Sequence, residues 1–302
     1  MWINQQRNVY SNDLYGNEER EASNDEIEAL KDLYISLNGD LWESNYNWNE
    51  DDPCLNSWEG VYCNKRGNVI GIEFKHNKLN GIIPDSISKL TNLIFIHITN
   101  PIFENNKKDS NYIYHISHKL FEIASLKEVI IKNVNLKQRL DTFLYFTSIN
   151  ADLEIIDLSY NSLVGELPDF SALHSLSELN LSNNALSGSL SNLNTLNNKV
   201  LHIKLHNNFF TGTIPSINNL NSNLLSLDLR NNTIEGDVPS SFFSINYFPK
   251  LKYVGLMLTD VNVPAQCKNI PFCIKRLFKS AQSIYDNGFE LTNNELQFLL
   301  PR

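Results

Sequence analysis

Leu153-Glu154-Ile155-Ile156-Asp157-Leu158-Ser159-Tyr160-Asn161-Ser162-Leu163-Val164-Gly165-Glu166-Leu167-Pro168 decides the fold, because the same phrase returns along the chain. Val69 to Pro84 repeats it with Asn77 and Gly81, Val200 to Pro215 with Asn208 and Gly212, and Leu224 to Pro239 with Asn232 and Gly236. Leu176 to Ser191 is a fifth copy, with Asn184 and Gly188 but Ser191 in place of the proline. Weaker copies start at Leu93, Leu126 and Leu251. Successive starts are 24, 33, 27, 23, 24, 24 and 27 residues apart, a period in the range of short stacked repeats. The step of 33 marks an insertion, which we place over Glu104–Ile123 because Asn105 to Asn111 reads as a loop.

Each recurring slot has a physical task. Apolar residues two apart, such as Ile156 and Leu158, occupy one face of a short strand and point into a core, so the residues between them face outward. The Asn three positions later is predicted to satisfy buried backbone groups with its amide, and in a stack Asn77, Asn161, Asn184, Asn208 and Asn232 then form a ladder. Gly permits the turn that follows, and the Pro fixes an extended segment. One repeat buries too little surface alone, so neighbours must stack to build a continuous core.

That stacking explains the length. A chain of 302 residues and 34.6 kDa exceeds most single compact cores, and about eight repeats account for it without a second fold. Asn makes up about 15% of the residues, more than the ladder positions use. The formal net charge of -9 is also uneven. Residues 1–59 carry 14 acidic and 3 basic side chains, which leaves the other 243 residues at a net of +2. No concentrated basic surface is present for a phosphate backbone, so nucleic acid is excluded as a partner. No apolar stretch reaches membrane-spanning length, and Met1–Asn8 lacks the apolar run of a signal peptide. Membrane insertion by this chain is therefore not expected, though a parent protein could carry a membrane helix.

Residues 1–22 read as a polar, acidic, disordered tail. Ser23-Asn24-Asp25-Glu26 has the form of a capping box, followed by Ile27, Leu30, Leu33, Tyr34 and Leu37 at helical spacing, with Asn38-Gly39 as the stop. Together with the repeats, these features resemble plant-type leucine-rich repeat proteins, including receptor-kinase ectodomains and polygalacturonase-inhibiting proteins. The resemblance extends to the amino-terminal cap through Trp42, Trp48, Pro53-Cys54, Trp58-Glu59-Gly60-Val61 and Cys63. It departs at Leu93 and Leu126, where Asn100 and Asn133 fall one position early and the Gly-x-Ile-Pro element is missing.

The resemblance implies an α/β-type leucine-rich repeat solenoid, a curved right-handed stack with a parallel sheet on its concave face. Its cap would span 23–68, the repeats 69–264 and a carboxy-terminal cap 265–302. In the last segment Ile274, Leu277, Phe278, Ala281, Ile284 and Tyr285, then Thr292 to Glu295, suggest two short helices covering the final repeat. The four cysteines can close in three ways. Cys54/Cys63 and Cys267/Cys273 would sit at opposite ends of such a solenoid, so local pairing is the expectation, with a disulfide stapling each cap. Free thiols are the alternative if the chain is cytosolic. Paired cysteines and the sequons Asn180-Leu181-Ser182 and Asn231-Asn232-Thr233 fit a secretory history.

Outward strand positions are the candidate binding surface: Phe95, His97, Glu128, Ile155, Asp157, Glu178, His202, Lys204, His206, Asp228, Arg230 and Tyr253. Apolar and aromatic members supply anchors and charged members set partner choice. Catalysis is not expected. Asp157 and Glu178 would lie at a separation that suits paired glycosidase carboxylates, but an open sheet offers no desolvated pocket to raise one pKa. His202 and His206 are about 13 Å apart along a strand and cannot share a metal. No phosphate loop or nucleophile elbow appears, and no cofactor or metal is expected. The sequence is therefore read as a non-catalytic recognition module for a protein, peptide or glycan, extracellular or at the cell surface. The alternatives are a secreted glycosidase inhibitor and a cytoplasmic scaffold.

Overall fold

Hydrophobic stacking divides the chain into two compact units, with the main boundary between Lys137 and Gln138. The computed structural model describes residues 20–102, 110–144, 152–217, 220, 223–243, 247–256 and 260–262. Residues 1–19, Cys267, Cys273 and the expected carboxy-terminal cap lie outside the described residues.

In the first unit, helix α1 (Asn24–Ser36) begins at the Ser23 capping box. Glu26 closes the box by accepting from the Ser23 N–H at 3.1 Å. Its other carboxylate oxygen accepts from the Val69 N–H at 2.9 Å, so one buried side chain caps both the helix and the first long strand. The helix stops because Asn38 takes the left-handed conformation (φ 53°). Within the expected Asn38-Gly39 stop it is Asn38, not Gly39, that takes this conformation. Gly39 is needed for a different reason, since a Cβ there would lie 2.2 Å from the Tyr34 ring. Tyr34, Trp42, Trp48, Trp58 and Phe74 form a continuous aromatic cluster with centroid separations of 4.9 to 6.0 Å. Each indole N–H donates to a backbone carbonyl, which makes burial of three tryptophans tolerable. A Cys54–Cys63 disulfide ties the cap's loop to its first strand.

Strand β1 (Val61–Cys63) pairs antiparallel with β2 (Val69–Lys75), which pairs in parallel with β4 (Phe95–Thr99), and β4 with β6 (Glu128–Lys132). A smaller parallel pair, β3 (Asn80–Ile83) and β5 (Tyr112–Ile116), flanks this sheet. The β3–β5 pairing relocates the extra residues of the Leu93 repeat. Asn111 is fully buried and accepts from the N–H groups of Asn77 at 2.9 Å and Leu79 at 3.1 Å, the task of a ladder asparagine. Asn100 holds Asn111 from both sides, its Oδ1 accepting from the Asn111 N–H at 2.7 Å and its Nδ2 donating to the Asn111 carbonyl at 2.9 Å. The additional residues therefore fall at 101–110, between two clamped asparagines. Omitting them turns the step of 33 into 23, and residues 112–123 are ordinary repeat rather than insertion.

Asn133 also has a definite post. It is left-handed (φ 57°), as are Tyr160, Asn183, Asn207 and Asn231 in the position before their own ladder residue. The ladder slot after Asn133 is filled by the fully buried Val134.

In the second unit β7 (Ile155–Asp157), β8 (Glu178–Asn180), β10 (His202–Lys204), β12 (Ser226–Asp228) and β14 (Tyr253–Gly255) pair in parallel and in register. The buried Leu179, Leu181, Leu186, Leu190 and Leu193 show what one repeat contributes to the core, at about 1.5–3 kcal/mol per fully buried side chain. Ladder contacts recur with little variation. Asn184, Asn208 and Asn232 each accept from the N–H of Leu163, Leu186 and Phe210 respectively, at 3.0 to 3.1 Å. Each donates Nδ2 at 3.0 Å to carbonyls in its own turn and the one before. Asn161 donates to the Leu158 carbonyl at 3.0 Å, and Asn77 exchanges two bonds with Ser44 in the cap. A second parallel sheet, β9 (Ser187–Ser189), β11 (Phe209–Gly212), β13 (Thr233–Asp237) and β15 (Asp260–Asn262), runs along the flank.

Candidate functional site

β6 alternates buried aliphatic residues with residues on the open face, Val129 and Ile131 inward and Glu128, Ile130 and Lys132 outward. The two open faces differ in chemistry.

On the first unit, Phe95 lies against Gly71, where a Cβ would sit 2.1 Å from the ring, so only glycine admits it. Phe95 neighbours Tyr62 at 5.5 Å and His97 at 4.9 Å. His97 Nε2 lies 3.1 Å from Glu128 Oε2, and Tyr62 donates its hydroxyl to Glu73 at 2.9 Å. Phe95, His97 and Glu128 are thus brought together. Tyr62 is the member that sequence reasoning missed, because β1 belongs to the cap and carries no repeat motif; its signal was the alternation with Val61 and Cys63.

On the second unit the face is charged. Glu178 and Lys204 pair across adjacent strands at 2.5 Å. Asp228 is buried and receives Nε and Nη2 of Arg230 at 2.7 and 2.6 Å. His206 Nδ1 lies 3.2 Å from Asp228 Oδ2, an ion-pair distance at which the ring is not aligned to donate. Burial works to raise the Asp228 carboxyl, but His206 and Arg230 outweigh it and hold the group well below the ordinary carboxylate range. His202 contacts Ser226 Oγ at 2.8 Å. Burial lowers its imidazole pKa, with Glu178 opposing and Lys204 adding to the shift.

Ile155 and Asp157 lie on β7, directly beside Glu178 and Asn180 of β8. Asp157 Oδ1 accepts from the Ser159 N–H at 3.0 Å, while Glu178 is taken by Lys204, so the two carboxylates make separate contacts. Tyr253 sits beside Ser226 in the backbone register. The sequon residue Asn180 is buried, its Oδ1 accepting from Ser182 N–H and Oγ, whereas Asn231 is exposed. Among the described residues no group of three or more His, Cys, Asp or Glu is arranged to hold a metal, and no helix is long and apolar enough to cross a membrane.

Comparison with known proteins agrees with this architecture. The family model described as leucine rich repeat N-terminal domain matches residues 23–64, and that of the leucine rich repeat matches residues 152–173 and 223–245. Over 73 residues, 24% of this chain, it is 30% identical to a probable leucine-rich repeat receptor-like protein kinase of Arabidopsis thaliana, and the match spans only 7% of that relative. The crystal structure of a plant ice-binding protein superposes with a TM-score of 0.63 at 23% identity, covering 80% of this chain and 73% of the other. The leucine-rich repeat ectodomain of the membrane receptor kinase GASSHO1/SCHENGEN3 from Arabidopsis thaliana, solved with Casparian strip integrity factor 2, gives 0.60 at 22%, covering 86% and 32%. At these identities the structures share the fold, the leucine-rich repeat solenoid.

Proposed function

We propose that this chain, a leucine-rich repeat protein of the plant type with an amino-terminal repeat cap, is a non-catalytic recognition module for an extracellular peptide or protein. The observation that carries the reading is the face of the second unit, where in-register parallel strands hold Glu178 against Lys204 and Asp228 against Arg230 and His206. Side chains already fixed by their neighbours lose little freedom when a partner docks, and alternating fixed charges discriminate between partners. Paired opposite charges on in-register strands suit contact along an extended chain.

A peptide as ligand is carried over from the Arabidopsis receptor kinase HAESA, solved with the peptide hormone IDA and superposing with a TM-score of 0.61 at 23% identity. An oxidising compartment is supported by the Cys54–Cys63 bridge, since such bonds persist outside the cytosol.

A random-peptide display selection on the purified chain tests the proposal. Selected peptides should lose at least about tenfold in affinity, ~1.4 kcal/mol, with Lys204→Ala or His202→Ala. Both residues are only partly buried, so their loss spares the fold; Arg230 is unsuitable because its removal strands the buried Asp228 carboxylate. Selected binders indifferent to both substitutions, with affinity unchanged, would remove this face as the site.

A further inference from the structure

We infer that Asn231 is an N-glycosylation site and that Asn180, the other sequon, is not. This rests on the extracellular reading. The two acceptors are chemically alike in sequence and opposite in structure. Asn180 lies on β8 between Asp157 of β7 and Lys204 of β10, is 6% exposed, and has its amide oxygen engaged by both polar groups of Ser182. A sugar on its nitrogen would have to displace the side chains that cover the amide. Asn231 stands in the left-handed turn (φ 52°) that leads out of β12, with its side chain exposed.

Its surroundings also accept the modified group. Asn231 Nδ2 donates to Asn207 Oδ1 at 2.8 Å, and Asn207 Nδ2 donates in turn to Asn183 Oδ1 at 2.6 Å. The co-reactant is a lipid diphosphate-linked oligosaccharide. The Nδ2 bond to the anomeric carbon forms as the bond from that carbon to the diphosphate oxygen breaks. One Nδ2 proton is lost, and the lipid diphosphate leaves with the electron pair. The product amide keeps one N–H, enough for the existing bond to Asn207. This surface amide row thus fixes the orientation of the first sugar. The glycan stands one residue beyond Arg230, at the border of the face carrying His206, Asp228 and Arg230, and closes that border to a large partner. A bound chain is thereby directed to the row Ile155, Glu178, His202 and Ser226.

The test is peptide mapping of the full chain, expressed behind a secretion signal in a eukaryotic host, after enzymatic release of glycans that converts each occupied Asn to Asp. Secreted and cell-retained fractions are both mapped, so retention does not hide the outcome. A single occupied site at Asn231 is expected, lost in Asn231→Gln and in Thr233→Ala and unchanged in Ser182→Ala. Occupancy of Asn180 in the secreted chain, or an unmodified Asn231, would overturn the inference. Because the host imposes secretion, either result is independent of the native compartment. Alkylation of Cys54 and Cys63 in protein isolated from its own source tests that compartment separately: free thiols there would defeat the extracellular reading alone.

Discussion

Replacing Asn111 by Ala should be among the most damaging single changes in the first unit, and its cost follows from the contacts it removes. The Oδ1 of this fully buried residue is the hydrogen-bond acceptor for the N–H groups of Asn77 and Leu79. Its Nδ2 donates to the Thr99 carbonyl at 3.1 Å, but that carbonyl also accepts from the His76 N–H at 3.0 Å and keeps a partner. The loss therefore amounts to two stranded buried donors, at about 1–3 kcal/mol each. Water entering the vacated space offsets part of this, which leaves about 3 kcal/mol. The probe is built in: Trp42, Trp48 and Trp58 are buried in the same unit, so indole emission follows its unfolding in urea. With a slope of about 2 kcal/mol per molar, the midpoint should fall by about 1.5 M. The exposed Asn92→Ala serves as the control and should shift it by less than about 0.25 M. A shift for Asn111→Ala no larger than the control's would refute the assignment of Asn111 to the ladder.

Three further outcomes follow from the same contacts. Replacing both Cys54 and Cys63 with Ser releases a short loop, and the midpoint measured by indole emission should drop by the equivalent of about 2–3 kcal/mol. Gly71→Ala places a methyl group within the volume of the Phe95 ring; the ring must leave, costing about 1–3 kcal/mol and erasing the ring-current shift on His97 protons in NMR spectra. His202 has a folded pKa below its ordinary value, so the folded chain binds fewer protons than the unfolded one between those two values. Its stabilising contribution is present above the ordinary value of about 6.5 and is lost as the pH falls through the folded value. Thermal midpoints measured from pH 7.5 to 5 should therefore fall less for His202→Asn than for the native chain; parallel curves would count against the assignment.

The parts of the fold legible in the sequence are those written in local or strictly periodic chemistry. The capping box needs only Ser23 and Glu26 three residues apart, and it forms as read. The repeat pattern sets strand spacing because a misplaced leucine would put an apolar side chain in water. What escaped is information held between distant residues. Asn111 looks like part of a polar loop until β5 is seen to pair with β3, and only then does its buried amide acquire the donors of Asn77 and Leu79. Asn133 reads as a displaced ladder residue because sequence spacing does not distinguish the left-handed turn position from the buried position beside it. At the candidate site the facing direction of each strand residue was legible from alternation. Burial was not: His97 and Asp228 face outward yet are covered, His97 by Phe95 and Glu128 and Asp228 by Arg230 and His206, from their own and the adjacent strands. Exposure on a sheet depends on which neighbours lie across the strands, and that is settled by register rather than by any single segment.

The clamp between Asn100 and Asn111 also matters to protein engineering. Because Asn100 and Asn111 are bonded to one another on either side of residues 101–110, the flanking repeats are held in phase by that pair. The junction is a natural graft point. An epitope or a binding loop spliced there should leave the stack in register as long as both anchoring amides are retained.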